Sequence, residues 1–275
     1  MYLNILFVLI KERSVIQLVK SNYALIALTC LFLLGIIFFS YRMFSLGILT
    51  VLSLFLLYRI NFQYRPTLSL FVFFFSGFVL FILGNDVIAQ LGISKEVKII
   101  LNRSLLFVLI LGTVISIRRN KQGVNLYTVM PHWNDRIEFP NHTIKTLTFL
   151  GFGFLGSMTI FLPLLLMNST SISRSLLIFA LVFSLINAVL EELLWRGLLL
   201  SSLKKYISTF YAVLVTSIGF GLLHLSIGIP ILMSLSFSFG GLFYALVVLK
   251  TKSIYPAVLF HFVINIGMVL NGWIL

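Results

Sequence analysis

Residues 176–200 read LLIFALVFSLINAVLEELLWRGLLL. A single α-helix of this length crosses the hydrocarbon core of a bilayer, which takes about 20 apolar residues at roughly 1.5 Å each. Three of its residues nevertheless carry formal charge: Glu191, Glu192 and Arg196. One charge at mid-bilayer costs about 2.5–3.5 kcal/mol on insertion scales, so ionisable groups at that depth are tightly paired, functional or both. The run sets the fold class as helical and membrane-spanning, and its own interior is where chemistry is to be sought.

The rest of the chain agrees with this solvent. Of 275 residues 60% are hydrophobic and 10% charged, and 28 are Phe; a soluble domain carries roughly a quarter charged residues. Mean hydropathy is +1.12. Further apolar stretches cover 23–40, 43–58, 67–83, 104–117, 147–167, 209–225, 229–249 and 254–274. The alternating pattern of a membrane barrel is missing, and lipid cannot satisfy an open backbone, so these stretches are helices. The expectation is an all-α, polytopic transmembrane helical bundle of about 8–9 spanning helices. Residues 1–145 hold the N-terminal helices and a polar loop at about 118–146 with Pro131 and Pro140. Residues 146–275 form a C-terminal bundle. Met1 to Ile10 lacks a basic n-region and a cleavage site, and reads as an interfacial or partly inserted segment rather than a signal peptide. Cys30 has no partner for an intrachain disulfide and reads as a packing or lipid-contact residue.

The net charge of +13 would point to nucleic acid in a soluble protein, but here the cations lie between apolar runs. Membrane lipids, not nucleic acid, are the expected partners. With the N-terminus in the cytoplasm, a nine-span model puts Lys11, Arg13, Lys20, Arg59, Arg65, Arg118, Arg119, Lys121, Arg136, Lys145, Lys204, Lys205, Lys250 and Lys252 on the cytoplasmic side. The other side holds Arg42, Lys95, Lys98, Arg103 and Arg174. This asymmetry predicts an N-in, C-out arrangement; the expected location is a bacterial plasma membrane.

The embedded polar residues cluster late in the chain. His224 and His261 lie in apolar helices, whereas His132 and His142 lie in the polar loop. Glu191 and His224 flank the turn at 204–209 at nearly equal arc lengths, which sets them at similar depth in two antiparallel helices. His261 and Asn265 are four apart and share a face; Glu192 and Arg196, also four apart, have the acid on the N-terminal side, the better order for a helical ion pair. Depth is less tidy for the histidines. At 1.5 Å per residue, His261 lies about 12 Å from its turn and His224 roughly 20–25 Å from its own. Tilt or local irregularity, made plausible by Gly228 and Pro230, has to close that gap.

The three elements Glu191-Glu192-x-x-x-Arg196, Phe220-x-x-x-His224 and His261-x-x-x-Asn265 resemble the motifs of the CPBP family of intramembrane proteases. That family includes CAAX-prenyl endopeptidases and Abi-type bacterial relatives linked to bacteriocin processing and self-immunity. The resemblance covers about 176–274; the first 145 residues carry none. It implies hydrolysis of a peptide bond in a membrane-associated peptide or lipidated protein, in a cavity open toward the cytosolic side. It makes Glu191 the general base that activates water and His224 its helper in positioning that water. His261 and Asn265 would stabilise the oxyanion, with Glu192 and Arg196 in support. The family is commonly labelled metalloprotease, and Glu191, His224 and His261 could supply three zinc ligands. The spacing is not H-E-x-x-H, and a metal-free, Glu-activated water is equally compatible. Lipoprotein modification or acyl transfer by the same groups, a non-catalytic immunity or membrane-partner protein, and a transporter are the competing readings.

Overall fold

The computed structural model describes residues 23–60, 62–139, 141–167 and 172–274. The expected character of Met1 to Ile10 lies outside them. The helices run in order as α1 Tyr23–Ser40, α2 Phe44–Ile60, α3 Arg65–Gln90, α4 Lys95–Ser104, α5 Leu106–Arg119, α6 Thr146–Met167, α7 Arg174–Glu192, α8 Ser201–Leu203, α9 Thr209–Leu223, α10 Ile231–Thr251 and α11 Tyr255–Leu270. Among the described residues, 7 helical stretches are long and apolar enough to cross a membrane, and Phe44–Ile60 and Tyr255–Leu270 are shorter apolar helices. Every apolar stretch read from the sequence is therefore a helix, and the protein is an all-α, polytopic integral membrane bundle.

Two boundaries differ from the sequence reading. The expected span at 104–117 begins earlier: α4 and α5 join across Leu105 as one apolar stretch from Lys95 to Arg119. Ser94 starts it, its side chain accepting a hydrogen bond from the Val97 amide at 3.4 Å, with Glu96 in the first turn. The polar loop at 118–146 also holds structure of its own, an antiparallel hairpin of β1 Arg136–Phe139 and β2 His142–Lys145 with Arg136 opposite Lys145. The loop is tied beneath one end of the bundle: the Asn125 amide donates to Ser201 Oγ at 3.0 Å, Lys204 Nζ to Tyr127 Oη at 3.1 Å, and the Ile254 amide to the Tyr127 carbonyl at 2.8 Å.

Two features hold the helices in register. Phe32, Phe71, Phe74, Phe75 and Phe78 of α1 and α3 are fully buried and pack ring against ring. This cluster reaches the second half of the chain where Phe74 meets Trp195, with centroids 5.8 Å apart. Second, α9 and α10 approach almost backbone to backbone. A Cβ on Gly221 would fall within 2.5 Å of the Ser234 carbonyl and onto Ser238 Oγ, and one on Gly241 within 2.9 Å of the Ser217 carbonyl. Small residues allow such approach where lipid supplies no hydrophobic drive between helices. Outward, α2 presents Leu49, Leu52 and Leu56, and α1 presents Cys30 to the surroundings of the bundle, as a lipid boundary requires. Gly221→Val should wedge α9 from α10 and cost about 1–3 kcal/mol, the usual cost of overpacking. Thermal unfolding in detergent measures this loss, and an unchanged midpoint would contradict the close contact.

Candidate active site

Glu191 and Glu192 form the last turn of α7, and the chain continues as a π-helix over Leu193–Leu200 before α8. Hydrogen bonds from i to i+5 put more residues in each turn and give less rise per residue. Eight residues wound this way shorten the path from the acid pair to the Lys204–Lys205 end. The sequence called for an irregularity but pointed to Gly228 and Pro230. There too the backbone departs from α geometry: His224–Ile227 is a 3₁₀ turn, ended by Gly228 at φ 90°.

The embedded charges are paired. Glu192 Oε1 accepts from Arg196 Nη1 at 3.0 Å, the i,i+4 pair read from the sequence. Arg196 Nη2 donates to the Gly241 carbonyl at 2.7 Å, and its guanidinium lies 4.7 Å from the centre of the Phe220 ring. Glu191 Oε1 stands 3.4 Å from Nη1 of Arg103. Glu191, Glu192 and Arg196 are at most 1% exposed and Arg103 is 7% exposed. Two carboxylates and two guanidiniums thus form a charge-neutral group in an interior where any one alone would be prohibitive.

His261 stands between the two acids. Its Nδ1 lies 2.9 Å from Glu192 Oε1 and its Nε2 lies 3.6 Å from Glu191 Oε2. A carboxylate only accepts, so Nδ1 carries a proton and Glu192 sets the ring's orientation. The Tyr244 ring stacks on the imidazole at 4.8 Å, and Phe220 meets it edge-on at 5.7 Å. His224 sits beyond Phe220, their ring centroids 5.3 Å apart, and stacks on Phe237 at 4.5 Å. Its Nδ1 is 3.0 Å from the Phe220 carbonyl, which also only accepts, so Nδ1 is the donor there and Nε2 is left for another partner.

His224, His261, Asn265 and Arg103 line one cavity of about 580 Å³, shared with Tyr244 and Asn187. Phe220 stands between the two histidines, its ring centre 5.3 Å from that of His224 and 5.7 Å from that of His261. Asn265 is 4% exposed, and its Nδ2, like Glu191 Oε2, is buried with no hydrogen-bond partner among the described residues. Both atoms belong to groups at the cavity: Asn265 lines it, and Glu191 contacts the lining residues Arg103 and His261.

Sequence reasoning brought Glu191, Glu192, Arg196, His224, His261 and Asn265 to one place and missed Arg103, Tyr244 and Asn187. For Arg103 a signal existed. A span at 104–117 is short of the roughly 20 residues needed to cross, and lengthening it toward the N-terminus takes Arg103 into the bundle. Tyr244 and Asn187 have no such signal, since lone polar groups in apolar helices are unremarkable.

Among the described residues no group of three or more His, Cys, Asp or Glu could hold a metal ion. His224 and His261 line the cavity, Glu191 lies behind it, and the Arg103 guanidinium faces that carboxylate.

With this geometry in place, the comparison with known proteins is specific. Residues 173–267 match the family model of the type II CAAX prenyl endopeptidase Rce1-like proteins. The matched segment bears all three motifs. Neither the curated proteins nor the solved structures yield a match to the chain.

Arg103→Leu should destabilise the fold by about 3–5 kcal/mol, because it strands a buried carboxylate. The double variant Arg103→Leu/Glu191→Leu should be more stable than Arg103→Leu alone. Additive losses in denaturation of the two single variants and the double would show that the pair is not coupled.

Proposed function

We propose that the protein is an intramembrane endopeptidase in which Glu191 activates the attacking water without a metal. The observation that carries this reading is a cavity lined by His224, His261 and Asn265, with the buried carboxylate of Glu191 set against its lining residues Arg103 and His261. In the proposed reaction Glu191 takes a proton from water as the hydroxyl oxygen bonds to the scissile carbonyl carbon. The carbonyl oxygen gains the negative charge and is met by Asn265 Nδ2, with His261 a second donor whenever its Nε2 also carries a proton. His224, with Nδ1 committed to the Phe220 carbonyl, offers Nε2 to hold the water. Collapse breaks the C–N bond, and the proton held by Glu191 passes to the leaving amine. Arg103, Glu192 and Arg196 keep the charges of the site balanced and its groups aimed.

The metal-free form draws support from Arg103, since a guanidinium 3.4 Å from Glu191 repels a divalent cation at the same carboxylate. Substrates with an apolar, membrane-embedded segment or a lipid anchor suit a cavity walled by residues such as Phe183, Phe237, Ile264 and Met268.

Cleavage of a library of membrane-inserted peptides by the purified protein in liposomes, read by mass spectrometry, tests the reading. Glu191→Gln should lower kcat about 10²–10⁴-fold, the usual contribution of a general base. Asn265→Ala should lower kcat about 10²–10³-fold with KM nearly unchanged, as for loss of an oxyanion donor. Full cleavage by Glu191→Ala would sink the proposal. In the same assay a strong chelator should leave the rate unchanged; loss of activity that zinc alone restores would return the metal to the mechanism.

A further inference from the structure

The helices fix which end of the bundle the cavity opens toward. Its lining comes from Ala89 at the end of α3, Lys95 and Lys98 at the start of α4, Ser226 and Ile229 beyond α9, and Trp273 beyond α11. All of these lie at the pole formed by the connections α1–α2, α3–α4 and α9–α10 and by the segment after α11. The opposite pole carries the α5–α6 loop, the turn at Lys204–Lys205 and the turn at Lys250–Lys252, joined to one another through Tyr127 and Glu138.

The two poles differ sharply in cations. Arg59, Arg65, Arg118, Arg119, Lys121, Arg136, Lys145, Lys204, Lys205, Lys250 and Lys252 all lie at the pole away from the cavity. The cavity pole has Arg42, Lys95, Lys98 and Arg174, because Arg103 is drawn inside to Glu191. Of these, Arg42 is paired with Asp86, and Lys98 donates to the Ala89 carbonyl at 2.8 Å. Glu96 offsets the local charge further. Short loops rich in Lys and Arg stay in the cytoplasm during insertion.

We infer that the cavity opens on the non-cytoplasmic face of the membrane, so that its substrates are peptide segments presented from that side. This is the reverse of the cytosolic opening that the family resemblance implied. The basic pole is held in the cytoplasm by its charge, and the helix directions then carry the mouth to the far side. The substrate class rests on the protease reading; the direction of the mouth does not.

Accessibility to a membrane-impermeant maleimide in intact cells decides the matter. Cys30→Ser removes the one native thiol. Gly92 at the cavity pole and Gly123 at the basic pole are both exposed positions where an added Cβ meets nothing within 4 Å, so a cysteine at either site is tolerated. In the Cys30→Ser background, Gly92→Cys should be labelled in intact cells and Gly123→Cys only after permeabilisation. The reverse pattern, or equal labelling of both before permeabilisation, overturns the inference. Ile93→Cys, also exposed, replaces Gly92→Cys if that variant does not accumulate.

Ser226→Cys reports on the cavity itself. The same reagent should label it from outside, and failure to label it while Gly92→Cys reacts would mean that the cavity does not open at this face. Labelling in the expected pattern by a protein that cleaves no peptide would leave the direction of the mouth standing and remove the protease reading.

Discussion

The whole arrangement depends on one electrostatic constraint: two adjacent carboxylates cannot enter a low-dielectric interior unless two cations enter with them. Arg196 answers Glu192 from the next turn of the same helix, which costs the fold little. Arg103 answers Glu191 from a different helix, so it has to be carried there by tertiary packing. Burying an ion pair is not in itself a route to stability, because the cost of removing both charges from water is comparable with their attraction. The pairs are better understood as what the site requires in order to exist, and the apolar packing around them as what makes the molecule stable.

That packing is organised to carry the constraint. The phenylalanine cluster of α1 and α3 touches Trp195, the neighbour of Arg196, and α3 packs along α5, whose continuation α4 delivers Arg103. On the other side the close approach of α9 and α10 places the Gly241 carbonyl where Arg196 can donate to it and sets Phe220 and Tyr244 around His261. The aromatic rings work as spacers, fixing the distance between imidazoles and acids without adding groups that compete for their hydrogen bonds. The π-helix after Glu192 and the 3₁₀ turn at His224 are where regular helices would have missed one another, and deviations of this kind recur at functional sites.

The bundle was legible because lipid leaves a chain few choices. Runs such as 147–167 and 229–249 can be nothing but helices, and the structure shows them so. The acid pair, the two histidines and Asn265 were legible for the same reason, since polar groups stand out against an apolar background. Arg103 was lost by a single residue: the span was started at Ser104, and an arginine at a helix end looks like any interfacial anchor. Tyr244 escaped because its role lies in stacking, which spacing does not encode. The π-helix escaped because Leu193–Leu200 has the composition of an ordinary membrane helix, and its winding answers to the neighbours it must reach. The hairpin at 136–145 is short and sits among prolines and charges, where alternation over four residues is too weak a pattern to separate from loop.

Arg103 also bears on how portable the chemistry is. All three motifs fall within residues 173–267, which invites the view that this segment is a catalytic cassette and the preceding helices a scaffold. The counter-ion of its first carboxylate lies outside it. Grafted beneath other helices, the segment would carry its geometry but not its neutrality, and Glu191 would have to surrender its charge or draw in water. A chain built on the same three motifs with different leading helices therefore inherits an obligation rather than a free choice. Somewhere in those helices it has to place a cation at the depth of this arginine.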